Sequence, residues 1–190
     1  MRPCMMPAFW RSAAGRFALA GALLALHTPY AVAVNGPDGA TLTRSSKVAL
    51  ADARWMEKAA QAGAAEVEAG KLAAAQSQRD EIRKFGQMMA EQHAKANEEL
   101  KALAEGKGVV LPASPDAAHK KLLVKLSTLS GAAFDKEYMD KLGRRDHEDA
   151  GKLFQQGIDR LKDADLKAYA QRTLSVIKQH FEMTRDIRTP

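Results

Sequence analysis

The sequence repeats small and apolar residues at helical spacing along four long segments, and this repeat restricts the fold more than any other feature. In the first segment, residues 51–76, the repeat alternates steps of four and three, as the seam of a helical bundle requires. Its members are Trp55, Ala59, Ala62, Glu66, Ala69 and Ala73. Asp52, just before them, is suited to cap this helix. No segment alternates apolar and polar residues with the period of two that is typical of a strand. The pattern therefore predicts an all-α protein.

The same spacing predicts three further long helices. The second follows Ser77–Asp80, which resembles a capping box, and stops at Gly106 and Gly108. The third begins after Gly131, and Asp163 or Asp165 caps the fourth. Inward positions of these helices are Ile82, Phe85, Met89, Ala96, Leu100 and Leu103, then Phe134, Tyr138, Met139, Leu142, Gly143, Ala150, Phe154 and Leu161, then Leu166, Tyr169, Thr173, Val176 or Ile177, Met183 and Ile187.

A long connection separates the two predicted helical hairpins. It spans about 25 residues, which is more than most bundle connections contain. Within it, Ser114 and Pro115 are suited to cap and begin a short helix. The sequence therefore predicts a ferritin-like four-helix bundle over residues 51–188, with one long crossover that contains a short helix.

Two glycines lie one heptad apart on the first helix. Gly63 and Gly70 are on the same side as Glu66, and each glycine costs a helix about 1 kcal/mol relative to alanine. We therefore expect both to allow a close approach by a neighbouring helix.

The N-terminal 33 residues have the three parts of a bacterial signal peptide. Three Arg and no acid precede an apolar run at residues 17–26, and Ala31-Val32-Ala33 forms a small-x-small cleavage site. Ten apolar residues are too few for a bilayer span of about 20. We predict that residues 1–33 are removed, that residues 34–50 form a flexible leader, and that the mature protein is periplasmic and has no transmembrane span. An uncleaved membrane anchor and an organelle transit peptide are the alternatives.

Charge and cysteine content exclude several classes of function. Without the signal peptide, 26 basic and 23 acidic residues remain, a formal charge of +3 that argues against a nucleic-acid partner. The single cysteine, Cys4, lies in the signal peptide. The mature chain can therefore have no disulfide, thiolate metal site or cysteine nucleophile. No phosphate-binding loop or serine-nucleophile motif is present either, so no catalytic residue is predicted and the chain is expected to be a binding protein more than an enzyme.

Four ligand-type residues lie on or beside the inward stripes, one on each long helix: Glu66, His93, His147 and His180. At 1.5 Å per residue, Glu66 is about 18 Å and His93 about 22 Å from the first hairpin turn. His147 and His180 are each about 25 Å from the second turn. Because the residues of each hairpin are level, we predict one transition-metal site for Zn, Cu, Fe or Ni.

Two alternatives to this site are open. Buried His and Glu also form purely structural hydrogen-bond networks, in which Glu66 pairs with a His or with Arg145. Di-iron chemistry is disfavoured because no long helix carries Glu-x-x-His. Haem is disfavoured because there is no Cys-x-x-Cys-His. His119, on the polar side of the crossover helix, is not included in the site.

Several short segments of the sequence resemble those of an exported bacterial family, domain-of-unknown-function family 4142. They are residues 59–73, Glu91-Gln92-His93, Phe134-Asp135-x-x-Tyr138, Asp146-His147 and Gln179-His180. The resemblance covers about residues 50–187 and implies a ferritin-like bundle in the cell envelope, without implying a reaction. Leu174-Ser175 departs from the Leu-Pro of many members. Two functions are therefore open: a periplasmic metal-binding bundle, and a metal-free structural or stress-related interaction protein of the envelope. Its oligomeric state is not predicted.

Overall fold

The computed structural model describes residues 34–35, 41–42 and 47–187, so the predicted signal peptide lies outside the described residues. Its helices are α1 Leu50–Gln76, α2 Asp80–Gly106, α3 Ala117–Ser127, α4 Gly131–Tyr138, α5 His147–Arg160 and α6 Ala164–Asp186. A π-helical segment, Met139–Asp146, joins α4 to α5 without a break. Two hairpins, α1–α2 and the composite α4–α5 with α6, form the four-helix bundle, and α3 lies in the crossover between them. The predicted all-α fold is confirmed.

Local signals place most helix ends where the sequence predicts them. The first helix ends at Gln76, and the second ends at Gly106, just before Gly108 with its positive φ of 72°. Asp163 caps α6 by accepting hydrogen bonds from the backbone N–H groups of Asp165 and Leu166. These ends depend on residues a few positions apart, which is why a linear sequence is enough to find them.

Three predicted caps are wrong. The capping box before α2 does not form, because Ser77 closes α1 and its hydroxyl accepts from the N–H of Arg79. The crossover helix is capped by Asp116 and not by Ser114. Asp52, predicted to cap α1, lies within its first turn. Its buried carboxylate accepts from the N–H groups of Lys162 and Asp163, so it ties α1 to the turn between α5 and α6.

A short antiparallel ribbon adds strands that the sequence does not predict. β1 Val34–Asn35 pairs with β2 Thr41–Leu42, which pairs with β3 Val109–Val110 after the end of α2. Strands of two residues are too short to display an alternating pattern. The ribbon connects part of the predicted leader to the end of the first hairpin.

The interior is divided into two apolar clusters with a polar layer between them. One cluster includes Trp55, Phe154 and Tyr169, and the other includes Phe85 and Tyr138. Along α1 the first cluster ends at Ala60 and the second begins at Ala69, with Glu66 between them. On each of the other long helices, a buried histidine likewise lies between the residues of the two clusters. The inward polar residues therefore lie at one level of the bundle.

Close packing of α1 against α2 holds this level in place. A Cβ built on Gly70 would lie 2.5 Å from the carbonyl oxygen of Gly86, and one on Gly86 would lie 2.6 Å from the Cβ of Ala73. Two backbones can come this close only where side chains are absent. Among the described helices, none has both the length and the apolar character of a membrane span.

Candidate metal centre

Three histidines from three different helices meet in the polar layer. His93 is on α2, His147 is the first residue of α5, and His180 is on α6. One ring nitrogen of each lies within 4.8 Å of those of the other two. The ring centroids are 5.8 Å apart for His93 and His147, 5.3 Å for His93 and His180, and 5.6 Å for His147 and His180. The rings therefore form a nearly regular triangle.

Hydrogen bonds fix which nitrogen two of these rings present. The Nδ1–H of His147 donates to the backbone carbonyl of Leu142 at 2.8 Å, so its lone pair is at Nε2. The Nε2–H of His180 donates to Oε1 of Gln92 at 2.7 Å, so its lone pair is at Nδ1. Metal-binding histidines commonly donate their second nitrogen to a carbonyl or a similar acceptor in this way, because the bond orients the ring and makes the free nitrogen more basic.

The π-helical segment provides the partner of His147. Its wider turns run from Met139 to Asp146, and Leu142 lies five residues before His147. Such π segments occur often at functional sites, because they displace a side chain from the regular helical position at a cost in stability. The sequence predicts one continuous third helix, so the π segment is a correction.

One nitrogen of each ring has no hydrogen-bond partner among the described residues. These buried atoms are His93 Nε2, His147 Nε2 and His180 Nδ1. An unsatisfied buried polar atom costs about 1–3 kcal/mol. A purely structural network of histidines would satisfy these atoms, whereas a metal site leaves its ligand atoms free for the ion.

Burial keeps all three imidazoles in the neutral form that binds metal. It lowers the pKa of His93 well below its ordinary value, and the charges of His147 and His180 lower it further. The pKa of His147 is also lowered by burial, against the opposing effects of the Leu142 carbonyl and the Asp146 carboxylate. Burial, with a smaller contribution from His147, lowers the pKa of His180 to about 4. At neutral pH no proton has to leave before a metal binds.

Glu66 lies at the edge of the triangle. Its Oε1 is 3.6 Å from Nδ1 of His147, on the side of the ring that faces away from the free nitrogen, and its Oε2 is buried without a partner. Burial first, and the negative charge of Asp146 second, raise its pKa well above the ordinary range. Glu66 in turn adds to the effect of burial in raising the pKa of Tyr138. Arg145, the alternative partner from the sequence, is exposed.

The ring positions fit a transition metal with three histidine ligands. In tetrahedral geometry with metal–nitrogen bonds near 2.0–2.1 Å, imidazole centroids are about 5.2 Å apart. The separations of the centroids here are 5.3–5.8 Å. The ligand nitrogens lie within 4.8 Å of one another, whereas such a site needs about 3.3 Å between them, so the rings would turn or move inward by up to about 1 Å to hold an ion. Three neutral nitrogens favour Zn, Cu, Fe or Ni over Mg or Ca, which prefer oxygen.

A second histidine network lies beside this site, and the sequence does not predict it. His119 Nδ1 is 2.7 Å from Oδ2 of Asp116, and its Nε2 is 3.2 Å from Oδ2 of Asp146. The hydrogen bond with Asp146, followed by that with Asp116, raises the pKa of His119 to about 9 despite the opposing effect of burial. The protonated ring joins the crossover helix to the π segment. Asp116, three residues before His119, was the only local signal of this network.

Comparison with known proteins gives a family and a fold. The chain matches the model of the family "Domain of unknown function (DUF4142)" over residues 39–187, which confirms the resemblance seen in the sequence. A crystal structure of a DUF305 protein from Streptomyces coelicolor, assigned as a secreted protein, superposes with a TM-score of 0.61 at 16% identity. The match covers 72% of this chain and 89% of that one. A search of the curated proteins gives no significant match.

Proposed function

Because the chain belongs to the DUF4142 family, whose members share a domain of unknown function, we propose a function from the site itself: the protein binds one transition-metal ion in the bacterial periplasm. His93, His147 and His180 are the ligands, and Glu66 supplies a carboxylate next to them. The single observation that carries the proposal is the convergence of three unpartnered, buried imidazole nitrogens.

Export is the second part of the proposal. The apolar run at residues 17–26, followed by Ala31-Val32-Ala33, supports cleavage before Val34. The assignment of the DUF305 neighbour to the secreted proteins is in line with this compartment. The proposed mature chain thus consists of the leader, residues 34–50, and the bundle, residues 51–188. Storage, buffering or slow redox chemistry of the metal are the roles that fit such a protein.

The metal alone tests the proposal. The mature protein is purified without a polyhistidine tag and stripped with a chelator, and its melting temperature is measured with Cu(II), Zn(II) or Mg(II). A metal at 100 times its dissociation constant adds about 2.7 kcal/mol to the free energy of unfolding, or about 5–11 °C at this chain length. We expect this gain with Cu(II) and Zn(II) and none with Mg(II), because imidazole is a poor ligand for Mg(II).

Single variants distinguish metal binding at the histidine triangle from metal binding at the protein surface. His147→Gln and His180→Gln should remove the gain, because each deletes one imidazole. His119→Gln is the matched control: it also replaces a histidine in a hydrogen-bond network but leaves the triangle intact. An equal gain in all four proteins would assign the metal to the surface. No gain in any of them would leave the metal-free interaction protein of the envelope as the better function.

A further inference from the structure

A cavity connects the protein surface with the histidine triangle. It has a volume of about 410 Å³. Its lining includes the exposed Lys58 and Asp149 as well as the buried Glu66, His93 and His147. The Nε2 atoms of both histidines are buried without a hydrogen-bond partner among the described residues. One water molecule occupies about 30 Å³ of liquid, so the cavity has room for a metal ion together with several of its water ligands.

Small side chains leave this path open. Ala62 on α1, Ala96 on α2 and Ala150 on α5 line the cavity, and each of them is half-buried. Protein interiors are otherwise filled to the density of organic crystals, so a larger side chain at these positions would occupy the space. Because the alanines belong to both hairpins, the opening lies where the two hairpins face each other.

Along the length of the bundle, by contrast, apolar side chains lie on both sides of the triangle. The two apolar clusters are separated by the polar layer that contains the three histidines. A hydrated ion would have to give up its water ligands to pass through such a cluster, and an ion without partners in an apolar interior is strongly disfavoured. The ion must therefore reach the triangle from the side of the bundle.

A second approach from the side reaches less of the site. The groove between α5 and α6 has a volume of about 430 Å³, and its lining includes Gly151, Ile177 and Phe181. Of the three histidines, His147 alone belongs to the described lining of this groove. The two volumes are similar, so size does not decide between the approaches. The cavity contacts two of the three ligands, His93 and His147, which favours the cavity.

From these contacts we propose that the metal ion enters and leaves the histidine triangle through the cavity, so that the protein exchanges its metal without unfolding. This inference rests on the proposed metal site and adds how that site is reached. An open path suits a protein that buffers its metal more than one that stores it for long periods.

Obstruction of a path has a kinetic signature. It raises the barrier for entry and for exit alike, so both rates fall by the same factor. The dissociation constant, which is the ratio of the exit rate to the entry rate, then stays the same. A substitution that disturbs the histidine triangle itself changes the dissociation constant instead.

Two wall variants and Cu(II) test the path. Ala62→Leu and Ala96→Leu add isobutyl groups to the cavity from two helices without replacing a ligand residue. Entry is measured by stopped-flow mixing of the chelator-stripped mature protein with Cu(II), which quenches the fluorescence of Trp55, the single tryptophan of residues 34–190. The relevant phase is the one that His147→Gln lacks. Exit is measured with excess EDTA, at concentrations where the rate no longer rises.

We expect both rates to fall about tenfold in each wall variant, the effect of a barrier higher by about 1.4 kcal/mol. The dissociation constant should stay the same within about a factor of two, or about 0.4 kcal/mol. Gly151→Leu is the matched control, because it fills the groove between α5 and α6 at a position where an added Cβ meets nothing within 4 Å. Its two rates should equal those of wild type. Circular dichroism checks that each variant is folded, and the second wall variant preserves the test if one misfolds.

Three results would overturn the proposal. Slower rates in Gly151→Leu, with wild-type rates in both wall variants, would place the path in the groove. Wild-type rates in all three variants would mean that the ion enters by separation of the helices. Slower entry with unchanged exit in the wall variants would mean that the added groups disturb the triangle and not the path. If Cu(II) neither quenches Trp55 nor raises the melting temperature of wild type, the proposed metal site itself is refuted.

Discussion

Replacing Gly70 with alanine tests the closest packing in the molecule. The added Cβ would lie 2.5 Å from the carbonyl oxygen of Gly86, 2.8 Å from the N atom of Ala90 and 3.2 Å from its Cβ. Ordinary contacts of a Cβ begin at 3.4 Å, so the first of these is short by about 0.9 Å. Two of the three neighbours are backbone atoms of α2, which cannot rotate away. An alanine at position 70 would therefore push α1 and α2 apart next to the polar layer.

The expected cost follows from two opposing effects. Overpacking a close-packed interior typically costs 1–3 kcal/mol, and rigid backbone neighbours place Gly70 in the upper part of that range. Replacing glycine with alanine within a helix stabilises the helix by about 1 kcal/mol. We therefore expect Gly70→Ala to lower the free energy of unfolding by about 1–2 kcal/mol. At this chain length the melting temperature should fall by about 2–8 °C.

Gly151 provides the matched control. It lies within α5, and a Cβ added there meets nothing within 4 Å. Gly151→Ala thus gains helix propensity without a clash and should add about 0.5–1 kcal/mol. Gly63→Ala should fall between the two, because its Cβ meets only the side chain of Asn97, which can rotate. The sequence predicts equal behaviour for Gly63 and Gly70, and the structure distinguishes them.

Urea unfolding of the metal-free protein, followed by circular dichroism, measures these differences. The midpoint should shift down for Gly70→Ala and up for Gly151→Ala, with similar slopes, because neither change alters the surface exposed on unfolding. Equal midpoints for the two variants would show that α1 and α2 do not approach as closely as the structure has them.

Four further predictions concern the effect of pH and the mass of the exported product. Metal binding should persist below pH 6.5, the pKa of a free imidazole, and be lost near pH 4, because the pKa of His180 is lowered to about 4. Calorimetric titrations with metal at pH 7, 5.5 and 4 measure the affinity, and loss of binding already at pH 6.5 would contradict this prediction. In the metal-free protein, the same lowered pKa means that the unfolded state binds protons first, so the contribution of His180 to stability should fall as pH falls from 6.5 to about 4. The urea midpoint of wild type relative to that of His180→Gln should therefore be lower at pH 4.5 than at pH 7, and the same difference at both pH values would refute the assignment. The pKa of His119 is raised to about 9, so its contribution to stability is complete below pH 6.5 and is lost as pH rises through 9. His119→Gln should therefore lower the free energy of unfolding more at pH 6 than at pH 10. Equal losses of stability at the two pH values would refute the charged contact with Asp146. Export should yield a product that begins at Val34, and mass spectrometry finding an intact Met1 on a membrane-bound product would exclude cleavage.

Local signals in the sequence determined the helices and most of their ends. The spacing of small and apolar residues predicts the α1 seam, Gly106 and Gly108 stop α2, and Asp163 caps α6. Each signal acts between residues a few positions apart, so no knowledge of the rest of the fold is needed. Residue counting also predicts that the inward polar side chains of each hairpin are level.

Contacts across the fold were decided only by the tertiary structure. His119 reaches Asp146 from another helix, and Asp52 accepts from Lys162, 110 residues away. Neither pair has a spacing that a helix makes recognisable. The π segment also depends on the tertiary structure, because its wider turns lower stability and form only where neighbouring parts of the fold compensate for that loss.

The candidate site combines both kinds of information. Periodicity alone places Glu66, His93, His147 and His180 on inward faces, but the way the two hairpins dock decides which of them meet. In that docking three imidazoles converge, while Glu66 lies beside the Nδ1 of His147. The cavity also exists only after docking, since it lies between side chains of both hairpins and the crossover. Helical spacing is a property of neighbouring residues, whereas an inward face acquires partners only when another helix packs against it.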